Sequence, residues 1–411
     1  MTSESKPSSN TRHAVIAGGG IAGLTTAICL ARENWQVTLL ESADEFESIG
    51  AGIQISPNGS RILERIGVLH ELSDDWFEPE ALELRHGSSD RQLLYLPMRD
   101  TALQRWGGRY FQVFRPDLIA ALLRVIERHD SITCQRKTRV TGFSQNDVSV
   151  QVHTSTDQSL SADLLVAADG VHSTIRGQMG DVSGTDDQTN AEARFTGNVA
   201  WRAVVPVDSL GDATPPPTAC VWTGEYKHAV TTRIRAGEWV NFVGIVEQEN
   251  WQQEGWRHAG SKEQALADFG EWNESITAII NTADTLYRWA LLDRPPLSAW
   301  SDRRVVLTGD AAHAMLPSMA QGAVQAIEDA WVLAQCHSES NDVTLANTSF
   351  FEKRIERTRR VQQESAANLH LFHKSGLVKQ AVSYAPIWLA GKVIPWAIYR
   401  RSDWLYGQGP I

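Results

Sequence analysis

The chain has 411 residues, 42% of them hydrophobic, enough for two or three domains and an ample core. Its formal net charge of −11 argues against nucleic acid as a partner, because phosphate backbones are held by basic faces. Four cysteines (Cys29, Cys134, Cys220, Cys336) lie far apart without a CxxC pair, so neither a disulfide framework nor a metal site is expected. The polar first twelve residues hold no apolar leader, and the expected compartment is cytoplasmic.

An apolar run at 14–17 predicts a buried strand. Gly18, Gly20 and Gly23 follow at GxGxxG spacing, then residues 21–33 carry helical periodicity, and a second strand at 37–40 ends on Glu41. Each position has a chemical reason. Gly18 permits the tight turn, Gly20 lets backbone approach a pyrophosphate, and Gly23 lets helix and strand pack closely. The helix start at Ile21 and Ala22 offers unpaired N–H groups and a positive dipole to phosphate, and Glu41 can accept hydrogen bonds from ribose hydroxyls.

Residues 48–58 form a glycine-rich loop, suited either to a flat ligand or to a plain surface turn, and Pro57 and Asn58 start a helix over 59–66. Strand-like pieces at 81–85 and 93–96 suggest an excursion into another sheet. Pro116 opens a helix over 118–128, with Arg115 just before it, either solvated or near a cofactor phosphate. Residues 139–143 and 148–153 read as a hairpin. A buried strand at 163–168 closes on Asp169-Gly170, where ligands bind in doubly wound sheets.

Residues 181–193 are polar and acidic, a linker or surface loop. Beyond them the texture turns to alternating antiparallel strands at 199–207, 218–223, 228–235 and 238–247, the last two joined by a tight turn at Ala236-Gly237. Period two puts His228, Val230, Thr232 and Ile234 on one face and Arg233 and Arg235 on the other. His228 there is either a satisfied core histidine or part of a substrate cavity wall. A strand at 305–308 ends on Gly309-Asp310, and a helix over 321–335 starts beside Gly322, which would admit a large flat ring. The apolar stretch 382–399 is interrupted by Pro386, Lys392 and Pro395, so it reads as a terminal helix packed on the body or on a second subunit, not a membrane span.

The glycine loop with Glu41, Ala168-Asp169-Gly170-Val-His-Ser-Thr-Ile-Arg176, and Gly309-Asp310-Ala-Ala-His-Ala-Met-Leu-Pro317 with Gly322 and Ile327-Glu-Asp-Ala330 together resemble the single-component FAD-dependent aromatic hydroxylases. The likeness is to the salicylate hydroxylase, 3-hydroxybenzoate 6-hydroxylase and 6-hydroxynicotinate monooxygenase branch, and Trp289-Ala-Leu-Leu-Asp-Arg294 with Trp300 shares it. The resemblance runs from about residue 12 to residue 334.

It implies an α/β chain with a Rossmann-like FAD-binding domain (12–75, 100–185, 286–345), interleaved with an antiparallel-sheet substrate domain (76–99, 186–285) and followed by a helical C-terminal segment (346–411). Gly18, Gly20, Ile21, Ala22, Gly23, Glu41, Arg115, Asp169 and Asp310 would hold FAD, with Pro317, Gly322 and Ala323 along the flavin ring. NADH or NADPH would bind transiently, since the family has no second GxGxxG and neither has this chain. The implied reaction is hydroxylation of a small salicylate-like hydroxyaromatic acid by O2 through a flavin C4a-hydroperoxide, with or without decarboxylation. His228 matches the branch's histidine beside the substrate phenol, and its ordinary pKa near 6.5 suits a base at neutral pH. Thr232 departs from the branch's usual tyrosine. Gln54, Arg202 and Thr232 are the candidate substrate contacts. The rival readings are an oxidase or oxygenase acting on a non-aromatic or larger polyketide or terpenoid ring, and a non-catalytic flavin redox sensor.

Overall fold

The computed structural model describes residues 11–46, 50–72, 75–179, 194–249 and 258–409. The expected 181–193 loop and residues 48–49 lie outside these. Two large sheets organise the molecule. The first has six strands in the order Ser301–Asp302, Val305–Leu307, Leu164–Ala167, His13–Ala17, Gln36–Leu40 and Ile132–Gln135. All its pairings are parallel except the edge pair Ser301–Asp302 with Val305–Leu307. Its central strands are apolar but for His13, because helices cover one face and the antiparallel strands Val140–Gln145, Val150–Thr154 and Ser159–Ala162 pack on the other. The Ile21–Arg32 helix buries Leu24, Ile28 and Leu30 and packs against the Gly322–Glu339 helix.

The second sheet has eight strands in the order His258–Gly260, Leu286–Asp293, Arg194–Pro206, Trp239–Glu247, Lys227–Ile234, Ala219–Gly224, Ala81–His86 and Gln92–Pro97. The pieces expected at 81–85 and 93–96 thus do join another sheet. One pairing departs from the antiparallel expectation: Ala219–Gly224 runs parallel to Ala81–His86, because those strands come from separate excursions and not from one hairpin. Side chains alternate as the sequence pattern requires. Trp201, Trp222, Ala229 and Phe242 enter a core under the helices Lys262–Phe269 and Glu274–Thr282. His228, Val230 and Thr232 face the other way.

The supposed loop at 48–58 is partly a strand. Gly52–Ile55 pairs antiparallel with Phe111–Phe114, and the Gly52 N–H donates to Asn241 Oδ1 at 2.8 Å, which ties this layer to the eight-stranded sheet. The helix starts at Pro57 as its proline suggests. The helical C-terminal segment comprises Val343–Phe372, Leu377–Val393 and Pro395–Tyr406. Pro386 stands inside the second of these; the chain breaks at Pro395 instead. No helix among the described residues is long and apolar enough to cross a membrane.

The 30-residue helix Val343–Phe372 spans about 45 Å and reaches both sheets. Near its start the Asn347 side-chain amide donates to the Arg303 carbonyl. In its middle Arg354 pairs with Glu328 and Asp329, all three buried. Just past its end, His373 meets His228.

Candidate active site

Two cavities of similar size adjoin along the segment 169–174. The first, about 320 Å³, is walled by Gly18, Gly20, Glu41, Arg139 and Asp169. Its glycines divide by task. Gly18 has φ +107°, and a Cβ there would stand 2.4 Å from the Ala168 carbonyl oxygen. A Cβ on Gly23 would fall 1.9 Å from the Gly18 carbonyl oxygen, the close helix–strand packing the spacing predicts. At Gly20 a Cβ would meet nothing within 4 Å, so the backbone there lies open to a ligand. Ile21 and Ala22 follow at the helix start, with no side-chain cap on their N–H groups. Glu41 does more than face the cavity: its carboxylate accepts from Gly19 N–H at 2.6 Å and from Ala43 N–H at 2.7 Å, bracing the loop.

Asp169 caps the Thr174–Gln178 helix through Oδ2, while its buried Oδ1 has no partner among the described residues. Arg115 is the first residue of the Arg115–Ile126 helix. Its Nε has no partner among the described residues; burial lowers its pKa and nearby Asp310 opposes that shift. Asp310 is exposed to the second cavity, and the protein packed around it pushes its carboxyl pKa up against the pull of His313 and Arg115.

The second cavity, about 330 Å³, lies between the Pro317–Ala323 segment and the eight-stranded sheet. Pro317, Gly322, Ala323, Gln54, Arg202, His228 and Thr232 all line it, so the structure gathers every ring-side and substrate candidate in one space. Gln54 is held by Gln112 Nε2 at 3.2 Å, and Thr232 Oγ1 accepts from Asn241 Nδ2 at 3.3 Å. Arg202 lies over the Trp289 ring at 4.5 Å, its Nε unpartnered among the described residues. Burial, then repulsion from Arg115, brings its pKa down to about 10, so it stays cationic at neutral pH.

His228 corrects one expectation. Its pKa is not near the ordinary value but well below it, because the ring is wholly buried and a second imidazole stands beside it. His228 Nδ1 lies 2.7 Å from His373 Nε2, His373 Nδ1 lies 2.8 Å from Glu247 Oε1, and His228 Nε2 has no partner among the described residues.

Sequence reasoning missed His373, Glu247 and Asn241 as parts of this site. It quoted Asp329 and Arg176 only within motifs. Asp329 Oδ2 accepts from Gly309 N–H at 3.0 Å and pairs with His313 at 2.6 Å, while Oδ1 takes Arg354 Nε at 2.8 Å. It thereby anchors the Gly309-Asp310 turn. Burial alone would raise the Asp329 pKa; His313 and Arg354 outweigh that and hold it far below the usual carboxylate range. Arg176 bridges the two motifs, donating to the carbonyls of Ala311 and Val171.

These residues fit a dinucleotide that ends in a flat ring: an open glycine loop, the orphaned Arg115 Nε and Asp169 Oδ1, and a roomy helix start at Gly322. The FAD binding domain family matches residues 11–348. The chain belongs to this FAD-binding family. A 3-amino-4-hydroxybenzoate 2-monooxygenase of Streptomyces platensis is 32% identical over 397 residues, 95% of either chain. A 3-hydroxybenzoate 6-hydroxylase of Klebsiella oxytoca is 30% identical, covering 96% of each. Among solved structures, Klebsiella pneumoniae HpxO complexed with FAD and uric acid matches with a TM-score of 0.84 over 98% of both chains at 24% identity, which shows the shared fold of the flavoprotein.

Proposed function

We propose that the flavoprotein is an FAD-dependent monooxygenase that consumes NADH or NADPH and O2 to hydroxylate a small hydroxyaromatic carboxylic acid. The observation that carries this reading is the ring-side cavity, which sets a half-buried cation, Arg202, and an imidazole, His228, on one sheet face, with Arg202 Nε and His228 Nε2 unpartnered among the described residues. Through the register, Arg202 pairs with Val243 and His228 with Ile245. The two residues therefore stand two strands and two residues apart, roughly 12 Å by sheet spacing. Their side chains narrow that gap toward the size of a hydroxybenzoate. The two relatives named above act, by their names, on such acids.

When bound, FAD would supply hydride acceptance and oxygen activation. Gly18, Gly20 and Arg115 would hold its diphosphate, Asp310 would accept from its ribityl hydroxyls, Glu41 and Asp169 would hold its adenosine side, and Pro317, Gly322 and Ala323 its ring. Arg202 orients the substrate carboxylate and desolvates on Trp289. His228 Nε2 accepts the phenolic proton, which enriches the ring in electrons for attack on activated oxygen. The apolar wall of Val230, Val243, Ile245 and Leu291 keeps water from the reacting atoms.

The test is O2 and NAD(P)H consumption by the purified holoenzyme with salicylate, 3- and 4-hydroxybenzoate, 3-amino-4-hydroxybenzoate, 6-hydroxynicotinate and neutral phenols, with products identified by mass. One acid giving stoichiometric hydroxylated product supports the reading. Flat rates across the panel contradict it.

A further inference from the structure

We infer that His228, His373 and Glu247 form a proton relay that carries the substrate's phenolic proton from the ring-side cavity to solvent; the inference rests on the reading of His228 as the base. Three observations carry it. The nitrogens line up in series, with 2.7 Å between the two imidazoles and 2.8 Å from the second imidazole to the carboxylate. The series runs from buried to wet: His228 is fully buried, the His373 side chain is 2% exposed and that of Glu247 is 42% exposed. The inner residue, His228, lines the cavity, and its Nε2 has no partner among the described residues.

The chemistry requires such an exit. A buried imidazole between another imidazole and Phe372 is a poor place to store a positive charge. A base there works only if it hands the proton on. With Glu247 ionised, His373 Nδ1–H donates to Glu247 and His228 Nδ1–H donates to His373 Nε2, leaving His228 Nε2 free to accept. On substrate binding, the phenolic O–H proton moves to His228 Nε2, the His228 Nδ1 proton to His373 Nε2, and the His373 Nδ1 proton to Glu247, which releases it to water. Both rings end neutral in the other tautomer, and His228 Nε2–H now donates to the phenolate. Product leaving as a phenol takes that proton back and the series resets, so one proton goes out and one returns. The groups facing the relay are His370, whose charge would oppose protonation of His373, and the backbone N–H of Tyr226, which donates to the His373 carbonyl. His373 and Glu247 act through His228 and are positioning residues.

The experiment mixes FAD-loaded enzyme without reductant, in weak buffer at pH 7 with phenol red, against 3-hydroxybenzoate and the other acids of the panel. Stopped-flow absorbance follows phenolate formation and proton release together. Wild type should show both in one phase. His373→Gln keeps a hydrogen bond to His228 but cannot relay, and should slow release at least about tenfold with little change in ligand affinity. Glu247→Gln should slow it less, since water reaches that end, and Glu247→Asp should recover part of the rate. Wild-type release rates in His373→Gln, or phenolate formed with no proton reaching the bulk, overturn the relay alone. Failure of every acid to bind wild type overturns the hydroxyaromatic reading itself.

Discussion

The two cavities are alike in volume and opposite in construction. The dinucleotide end is built by short contiguous stretches, 17–20, 40–42, 138–140 and 168–174, and much of its wall is backbone. The ring end is built by side chains from residue 52 to residue 323, with a second tier reaching Glu247 and His373 behind it. A wall of backbone N–H groups depends on chain conformation, which glycine spacing dictates locally. A wall of side chains depends on sheet register and on which distant helix docks where. The first should therefore fail through single glycines, and the second through tertiary contacts.

The largest expected effect is on the ring end. Arg354→Ala removes the buried cation shared by Glu328 and Asp329, leaving Arg357 to the first and His313 to the second, and should cost about 3 kcal/mol, with loss of the flavin absorbance band as the Gly309-Asp310 turn loosens. Chemical denaturation and flavin content measure it; near-native stability would show that the turn is held by other contacts.

The glycines sharpen the contrast from the other side. Gly23→Ala should cost about 1–3 kcal/mol, because its Cβ cannot coexist with the Gly18 carbonyl. Gly20→Ala should leave stability unchanged and weaken FAD about tenfold, equivalent to about 1.4 kcal/mol. Equal losses of stability in both variants would erase the distinction between packing glycine and approach glycine.

Arg202→Gln should raise KM for acidic substrates about tenfold while barely moving that for a neutral phenol, as steady-state kinetics would show. Equal effects on both would remove Arg202 from carboxylate recognition.

The smallest effect is the pH dependence of stability. Glu328 and Asp329 have depressed pKa values, so their contribution is full above the unfolded carboxylate range and fades as pH falls through it. His337 is pushed down to about 4, so below about pH 6.5 the unfolded chain binds a proton that the fold refuses. Melting temperature should fall gently from pH 6.5 and steeply below about pH 5. His228 is held low as well and acts in the same range, so His337→Gln should reduce the upper slope without abolishing it.

What the sequence made legible follows the same division. The Gly18–Gly23 loop, Asp169-Gly170 and Gly309-Asp310 were readable because each strand–turn–helix junction encodes its own geometry. The face shared by His228 and Thr232 was readable from period two. The strand Gly52–Ile55 was not, since its glycine-rich texture masks a pairing with the distant Phe111–Phe114, joined by a tie to Asn241, 189 residues away. His373 was beyond reach: it is 145 residues from His228, and only the docking of the long helix brings it there. Burial beside that imidazole is also what removes His228 from the pKa its residue type suggests.

The most direct test of the account is the pH profile of hydroxylated product formation by wild type and His228→Ala, each with FAD bound. The account predicts a loss of about 10²–10⁴-fold near neutral pH, shrinking as pH rises toward the phenol's own ionisation. Wild-type turnover by His228→Ala at pH 7 would contradict it.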